Sequence, residues 1–184
     1  MKNTAATSLL RLALLAVFVV AIAFPRTAAQ ENPSPTVRLF RLDGSLGTEL
    51  PVKVNSEDNS ENFGIKLRDA RLEADSMRFF TRLRSVITIS NTDTTRRIIE
   101  VEWRLDVYDE ALRSLSQRVL QSEKLNIYSG ETAKASARFG AVLPDRMIVL
   151  LQLVRVSFAD GSSWRPRADC ALGEDLRAVS CNSK

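Results

Sequence analysis

The sequence predicts an all-β protein, a single antiparallel sandwich of about seven strands with an N-terminal extension and a short C-terminal tail. Three observations predict it. Ile98 to Asp109 alternates strictly, with Ile99, Val101, Trp103, Leu105 and Val107 on one face and Glu100, Glu102, Arg104 and Asp106 on the other. Period two of this kind makes one buried and one wet face of a strand, whereas a helix would scatter the acids around its circumference. Turn signals recur at roughly 8–12-residue spacing from Phe63 onward, as sandwiches require. No long helical period interrupts them, which argues against a parallel α/β architecture.

The first residues read as an export signal. Lys2 and Arg11 precede an unbroken apolar run from Leu12 to Phe24, 13 residues long. Spanning a bilayer takes roughly 20 apolar residues, and a stretch of about 10–14 suits a signal-peptide core. Thr27-Ala28-Ala29 then offers small residues before Gln30, so cleavage is expected after Ala29. The alternatives are an uncleaved anchor and a buried helix, the latter disfavoured by Pro25 and Arg26 and the lack of any amphipathic pattern. Cleavage leaves 155 of the 184 residues, enough for one domain with a core. It also removes Lys2, Arg11 and Arg26 and no acid, so 23 basic residues then face 22 acidic ones. That balance gives no case for a nucleic-acid partner.

Residues 30–62 form the expected linker and N-terminal β extension. Glu31-Asn32-Pro33-Ser34-Pro35 is polar and proline-rich. Thr36 to Leu42 is a short strand candidate, and Pro51 to Val54 could return beside it. Whether residues 36–54 join the sandwich or form a separate hairpin stays open. Asn55 to Asn62 has no apolar residue and reads as an exposed loop. The sandwich is expected over residues 63–166. Phe63 to Ala74 and Arg78 to Asn91 look extended, and Asn91-Thr92-Asp93-Thr94-Thr95 supplies a turn before the Ile98 strand. A weaker strand follows at about Leu115 to Leu125, then a bend at Ser129-Gly130. Thr132 to Phe139 alternates with alanines on one face. Arg146 to Phe158 is apolar on both faces at first, as a central strand would be, then alternates through Val154, Val156 and Phe158. Asp160-Gly161 is a hairpin signal returning the chain through Ser162 to Arg165. Residues 167–184 form the tail, with a short helical turn expected over Ala171 to Val179. An immunoglobulin-like sandwich fits this order best, with Trp103 between the sheets.

Leu105-Asp106-Val107-Tyr108-Asp109 resembles the motif of the FxLYD family of bacterial extracytoplasmic domains. Leu105 stands where the family has Phe, and Val107 where it has Leu. Ile87-Thr88-Ile89-Ser90-Asn91 and Ser129-Gly130-Glu131-Thr132 resemble the strand-Asn and Gly-turn elements usual in such sandwiches. The likeness covers about residues 63–160 and implies an immunoglobulin-like fold and an exported setting, without an activity.

The residues themselves offer little chemistry. The chain has no histidine, which excludes every His-dependent triad or metal cage. Ser136 and Lys134 merely share a wet face. Asp58-x-Ser60-x-Asn62 with Gly64 and Asp69 is a poor calcium loop, because Phe63 occupies the glycine position and Asp69 replaces the bidentate Glu. Cys170 and Cys181 are an isolated even pair, read as a disulfide in an exported chain rather than as a redox pair or half a metal site. Arg78, Arg82, Arg84, Arg96 and Arg97 make one stretch basic. Exposed charge pairs with Glu100, Glu102 and Asp106 are the plain reading; contact with an anionic polysaccharide or phospholipid headgroup is the sharper one. Phe79-Phe80 could add an apolar anchor to it. Trp164, just past the Asp160-Gly161 turn, is the candidate exposed aromatic at the sandwich edge, the alternative being a cover for the hairpin end. Trp164, Arg82 and Arg84 are therefore the surface-contact candidates.

The expectation is an exported, periplasmic or secreted, non-enzymatic binding or interaction module without a cofactor or catalytic residue. Its partner would be a protein or glycan of the cell envelope, not nucleic acid, with a membrane contact only through an uncleaved signal. The alternative is a structural accessory of an envelope or secretion assembly.

Overall fold

Alternating sequence produces alternating burial. In the strand Ile98–Tyr108, Val101, Trp103, Leu105 and Val107 are fully buried between two sheets. The computed structural model describes residues 36–55, 60–76, 81–173, 176 and 178–183. The expected signal segment, its cut and the linker fall outside those residues, as do Asp58, Arg78, Phe79 and Phe80.

Twelve strands are found among the described residues. They are β1 (Val37–Asp43), β2 (Gly47–Leu50), β3 (Lys53–Asn55), β4 (Ile65–Ser76), β5 (Thr81–Asn91) and β6 (Ile98–Tyr108). Then follow β7 (Ser114–Gln121), β8 (Thr132–Ala141), β9 (Arg146–Phe158), β10 (Ser163–Trp164), β11 (Ala168–Leu172) and β12 (Ala178–Ser183). A short 3-10 helix, Ser60–Phe63, precedes β4. The larger sheet runs β2-β1-β9-β6-β7, with β10 also on β9. The facing sheet is β4-β5-β8, and every pair in these two sheets is antiparallel.

The main core lies between these sheets. Phe40, Leu72, Leu83, Ile87, Trp103, Leu151 and Phe158 are among its members. Trp103 crosses from one sheet to the other and donates from its indole Nε1 to the Oγ of buried Ser85, 2.8 Å away. A buried indole N–H needs an acceptor, and the facing strand supplies it.

Two bulges reset the side-chain phase along β6 and β9. One falls between Ile98 and Glu100, so Ile98 enters the core while Ile99 is only half-buried. The other skips Val154 on β9, so Leu153 and Val156 both face inward although three positions apart. An extra residue in one strand shifts every following side chain by one. The strict alternation expected through Ile99 and Val154 is corrected accordingly.

The N-terminal strand is part of the sandwich. β1 pairs with β9 from Val37↔Gln152 to Asp43↔Arg146, on the edge that β10 occupies further along at Ser163↔Ser157 and Trp164↔Val156. The expected C-terminal helical turn is instead a hairpin. β11 and β12 pair antiparallel with Cys170 opposite Cys181, and β12 adds β3 in parallel to make a third sheet. The two cysteines are disulfide-bonded. Val179 and Cys170 form a second apolar cluster with Val37, Leu39, Ile148 and Leu150, on the side of β1 and β9 turned away from the main core. The unbroken apolar run Met147–Leu151 of β9 reflects burial on both faces, the reason such runs read as central strands. On β1, Val37 and Leu39 face the second cluster while Phe40 and Leu42 face the main core. The segment after Arg165 thus covers core residues rather than trailing from them.

Candidate functional site

The outer face of the β4-β5-β8 sheet carries a concavity. Outward positions on adjacent strands fall into rows: Glu73, Arg84 and Arg138 in one, Asp75, Arg82 and Gly140 in the next. On the other flank, Leu46 bridges to Glu73, and the Ser45 carbonyl accepts from the amide of Ala74. Apart from Gly140, these groups and Ala74 line a groove of about 610 Å³.

Its electrostatics are uneven. Arg84 pairs with Glu73 at 3.3 Å. Arg82 and Arg138 have no ion-pair partner among the described residues. Arg84 and Arg138 stand directly opposite on neighbouring strands, a like-charge pairing that is destabilising by itself. The Nε of Arg84 is the one buried side-chain polar atom without a hydrogen-bond partner among the described residues.

Of the surface candidates, Arg82 and Arg84 are brought together here, and Trp164 is not. Trp164 is 1% exposed. It pairs across β10 with Val156, whose side chain faces the core, and cross-strand partners share a face. Trp164 is therefore a hairpin-end core residue, and the expected exposed aromatic is withdrawn. Arg138 was missed. The alternation of β8 marks it as outward, but only strand register places it beside Arg84.

The rest of the basic stretch is spent elsewhere. Arg96 lies between the rings of Phe63 and Phe158, its guanidinium carbon 5.2 and 4.3 Å from their centroids. It also forms a two-pronged pair with Asp93. Asp93 in turn accepts from the amides of Thr95 and Arg96 and from the Thr95 hydroxyl. The Arg96 guanidinium, joined by these amides, holds the Asp93 carboxyl well below the usual carboxylate range, against a smaller opposing effect of desolvation. Arg97 stacks on Tyr128 and donates to its hydroxyl at 3.2 Å. The expected exposed pairs between this stretch and Glu100, Glu102 and Asp106 are not found among the described residues. Glu100 and Glu102 pair with Arg155 at 3.0 and 3.2 Å, and Asp106 with Arg104, all partly or fully buried.

The motif residues fill structural roles in this chain. Leu105 and Val107 are core, and Tyr108 packs in the second apolar cluster. Asp109 closes the turn after β6 by accepting from the Arg113 amide at 2.9 Å and its guanidinium at 2.7 Å. Asn91 is fully buried: its side-chain amide donates to the Arg96 and Ile127 carbonyls, and its oxygen accepts from the Asp93 amide. It ties two loops to the end of β5.

Asp106 is the nearest thing to a tuned acid. Burial pushes its carboxyl up, opposed by a hydrogen bond from Gln117 and the charge of Arg104. Arg104 also donates to Gln152 and the Cys170 carbonyl, so the group belongs to a network between the larger sheet and β11. It lines neither of the two concavities described. The smaller one, about 180 Å³, includes Arg146, already paired with Asp43 and Glu110. Among the described residues no group of acids and cysteines could hold a metal ion. The chain matches no protein-family model and no curated protein sequence.

Proposed function

We propose that this chain is an exported, non-enzymatic binding module whose contact site is the Arg82–Arg84–Arg138 groove. The observation that carries the reading is the state of those guanidiniums. Three line one concavity, two of them without an ionic partner among the described residues, on a solvent-facing sheet whose other side is anchored in the main core. Rigid strands hold such groups in fixed relation, which favours recognition of a ligand over mobile surface charge. The groove has donors and two carboxylates but no thiol or imidazole, so binding suits its chemistry better than nucleophilic catalysis.

The setting follows from the sequence and the bridge. A disulfide fits an oxidising compartment, and the Leu12–Phe24 run ending in Thr27-Ala28-Ala29 fits a cleaved signal. On this reading the partner is a component of the cell envelope, and the fold is a relative in architecture of the FxLYD-like domains. Intact mass of protein recovered from outside the cytoplasm should match a chain beginning at Gln30. Immobilised in that form, it should retain an envelope component that Arg82→Gln/Arg138→Gln releases. Retention unchanged by the double substitution would remove the groove from the function.

A further inference from the structure

We infer that the groove takes the carboxylate of an acidic sugar, a hexuronate unit within an oligosaccharide. This names the ligand of the site proposed above and rests on that reading. Three guanidiniums and the carboxylates of Glu73 and Asp75 line the groove, an excess of one positive charge. One excess charge balances one carboxylate. A phosphate dianion would exceed it.

The donors and acceptors divide in the same way. Among the described residues Arg82 and Arg138 have no ion-pair partner, and a guanidinium binds a carboxylate through two parallel hydrogen bonds. Glu73 and Asp75 are acceptor-only groups when ionised, so they suit the hydroxyl donors that a sugar ring carries and a simple anion lacks. Leu46, 63% exposed, and Ala74 give the groove an apolar flank for the C–H face of a ring. Gly140 stands opposite Arg82 and leaves that row without a side chain on β8. A volume near 610 Å³ lies within the roughly 300–1,000 Å³ range of ligand sites. An anion bound between Arg84 and Arg138 would also relieve their like-charge pairing.

Calorimetric titration of the purified disulfide-bonded protein with trigalacturonate tests this, with maltotriose as an uncharged trisaccharide and inorganic phosphate as a bare anion. Saturable binding of trigalacturonate is expected, weakening with salt and at least about tenfold tighter than either control, since a charge-assisted pair contributes more than a neutral one. Arg82→Gln/Arg138→Gln should lower that affinity by about tenfold or more with the unfolding midpoint unchanged. Absence of trigalacturonate binding, equal binding of maltotriose or phosphate, or indifference to the double substitution would overturn the assignment. If trigalacturonate fails while an envelope component is still retained through Arg82 and Arg138, the sugar is wrong and the binding site stands. If both fail, both readings fall.

Discussion

Two arginine clusters lie near opposite ends of β5, about 30 Å apart at roughly 3.3 Å per residue. At one end Arg96 is enclosed by two aromatic rings and a carboxylate. At the other, Arg82, Arg84 and Arg138 share a solvent-open groove with only one of them ion-paired among the described residues. Arg82, Arg84 and Arg96 belong to one basic stretch of sequence, yet Arg96 is built into the fold and the other two, joined by Arg138, are left over from it. Partner count, and not charge density along the chain, separates an arginine that holds structure from one that can hold a ligand.

The scale for breaking this comparison is set by the core. Trp103→Ala should cost about 3–5 kcal/mol, because the indole is fully buried and its loss strands the Ser85 hydroxyl. Chemical denaturation measures it, and a cost under about 1 kcal/mol would deny that Trp103 anchors the two sheets. The enclosed cluster comes next. Arg96→Gln should cost about 2–3 kcal/mol, leaving Asp93 in a largely buried site without its counter-charge. Gly64→Ala should act on the same corner. Gly64 sits at φ 68°, and an added Cβ would lie 2.2 Å from the Asp93 amide nitrogen, so the loop must move.

Acid titration sharpens the contrast. The folded Asp93 carboxyl titrates below its unfolded value of about 3.9. Its contribution is therefore complete above that pH and is lost as pH falls from about 4 through the folded pKa. Asp106 has the opposite sign, since burial raises it. Asp93→Asn should accordingly lower stability at neutral pH and flatten the loss below about pH 4, a shape that thermal unfolding across pH would reveal. The smallest effect belongs to the groove. Arg82→Gln and Arg138→Gln should each change stability by no more than about 0.5 kcal/mol, and relief of the Arg84–Arg138 opposition would make the second neutral or slightly favourable.

Much of the fold was legible because strand period is a local signal. The inward faces of β5 and of β6 from Val101 onward follow from side-chain alternation, and the central position of β9 follows from its early run being apolar on both faces. What sequence order hides is pairing across distance. Nothing in Thr36–Leu42 says that it will lie against β9, and the bulges at Ile99 and Val154 leave no residue-type mark. The tail was misread because the short apolar set Leu172, Leu176 and Val179 fits a helical turn as well as a hairpin, whereas Cys170 opposite Cys181 fixes adjacent strands. Trp164 could have been placed correctly: a hairpin through Asp160-Gly161 with Ser163 opposite Ser157 puts it beside Val156. Two of the three groove arginines, Arg82 and Arg84, were visible in the sequence. Arg138 lies more than fifty residues away along the chain, and only register brings it in.

The central claim is that the groove arginines are held open for a ligand while the Arg96 cluster is not. A ligand that binds only the folded state raises its unfolding temperature, so thermal unfolding with and without trigalacturonate compares both clusters in one experiment. The account predicts an upward shift in the wild-type protein and in Arg96→Gln, from a lower starting point in the latter, and a clearly smaller shift at the same trigalacturonate concentration in Arg82→Gln/Arg138→Gln. A shift undiminished by the groove substitutions, or one that disappears only with Arg96→Gln, would contradict it.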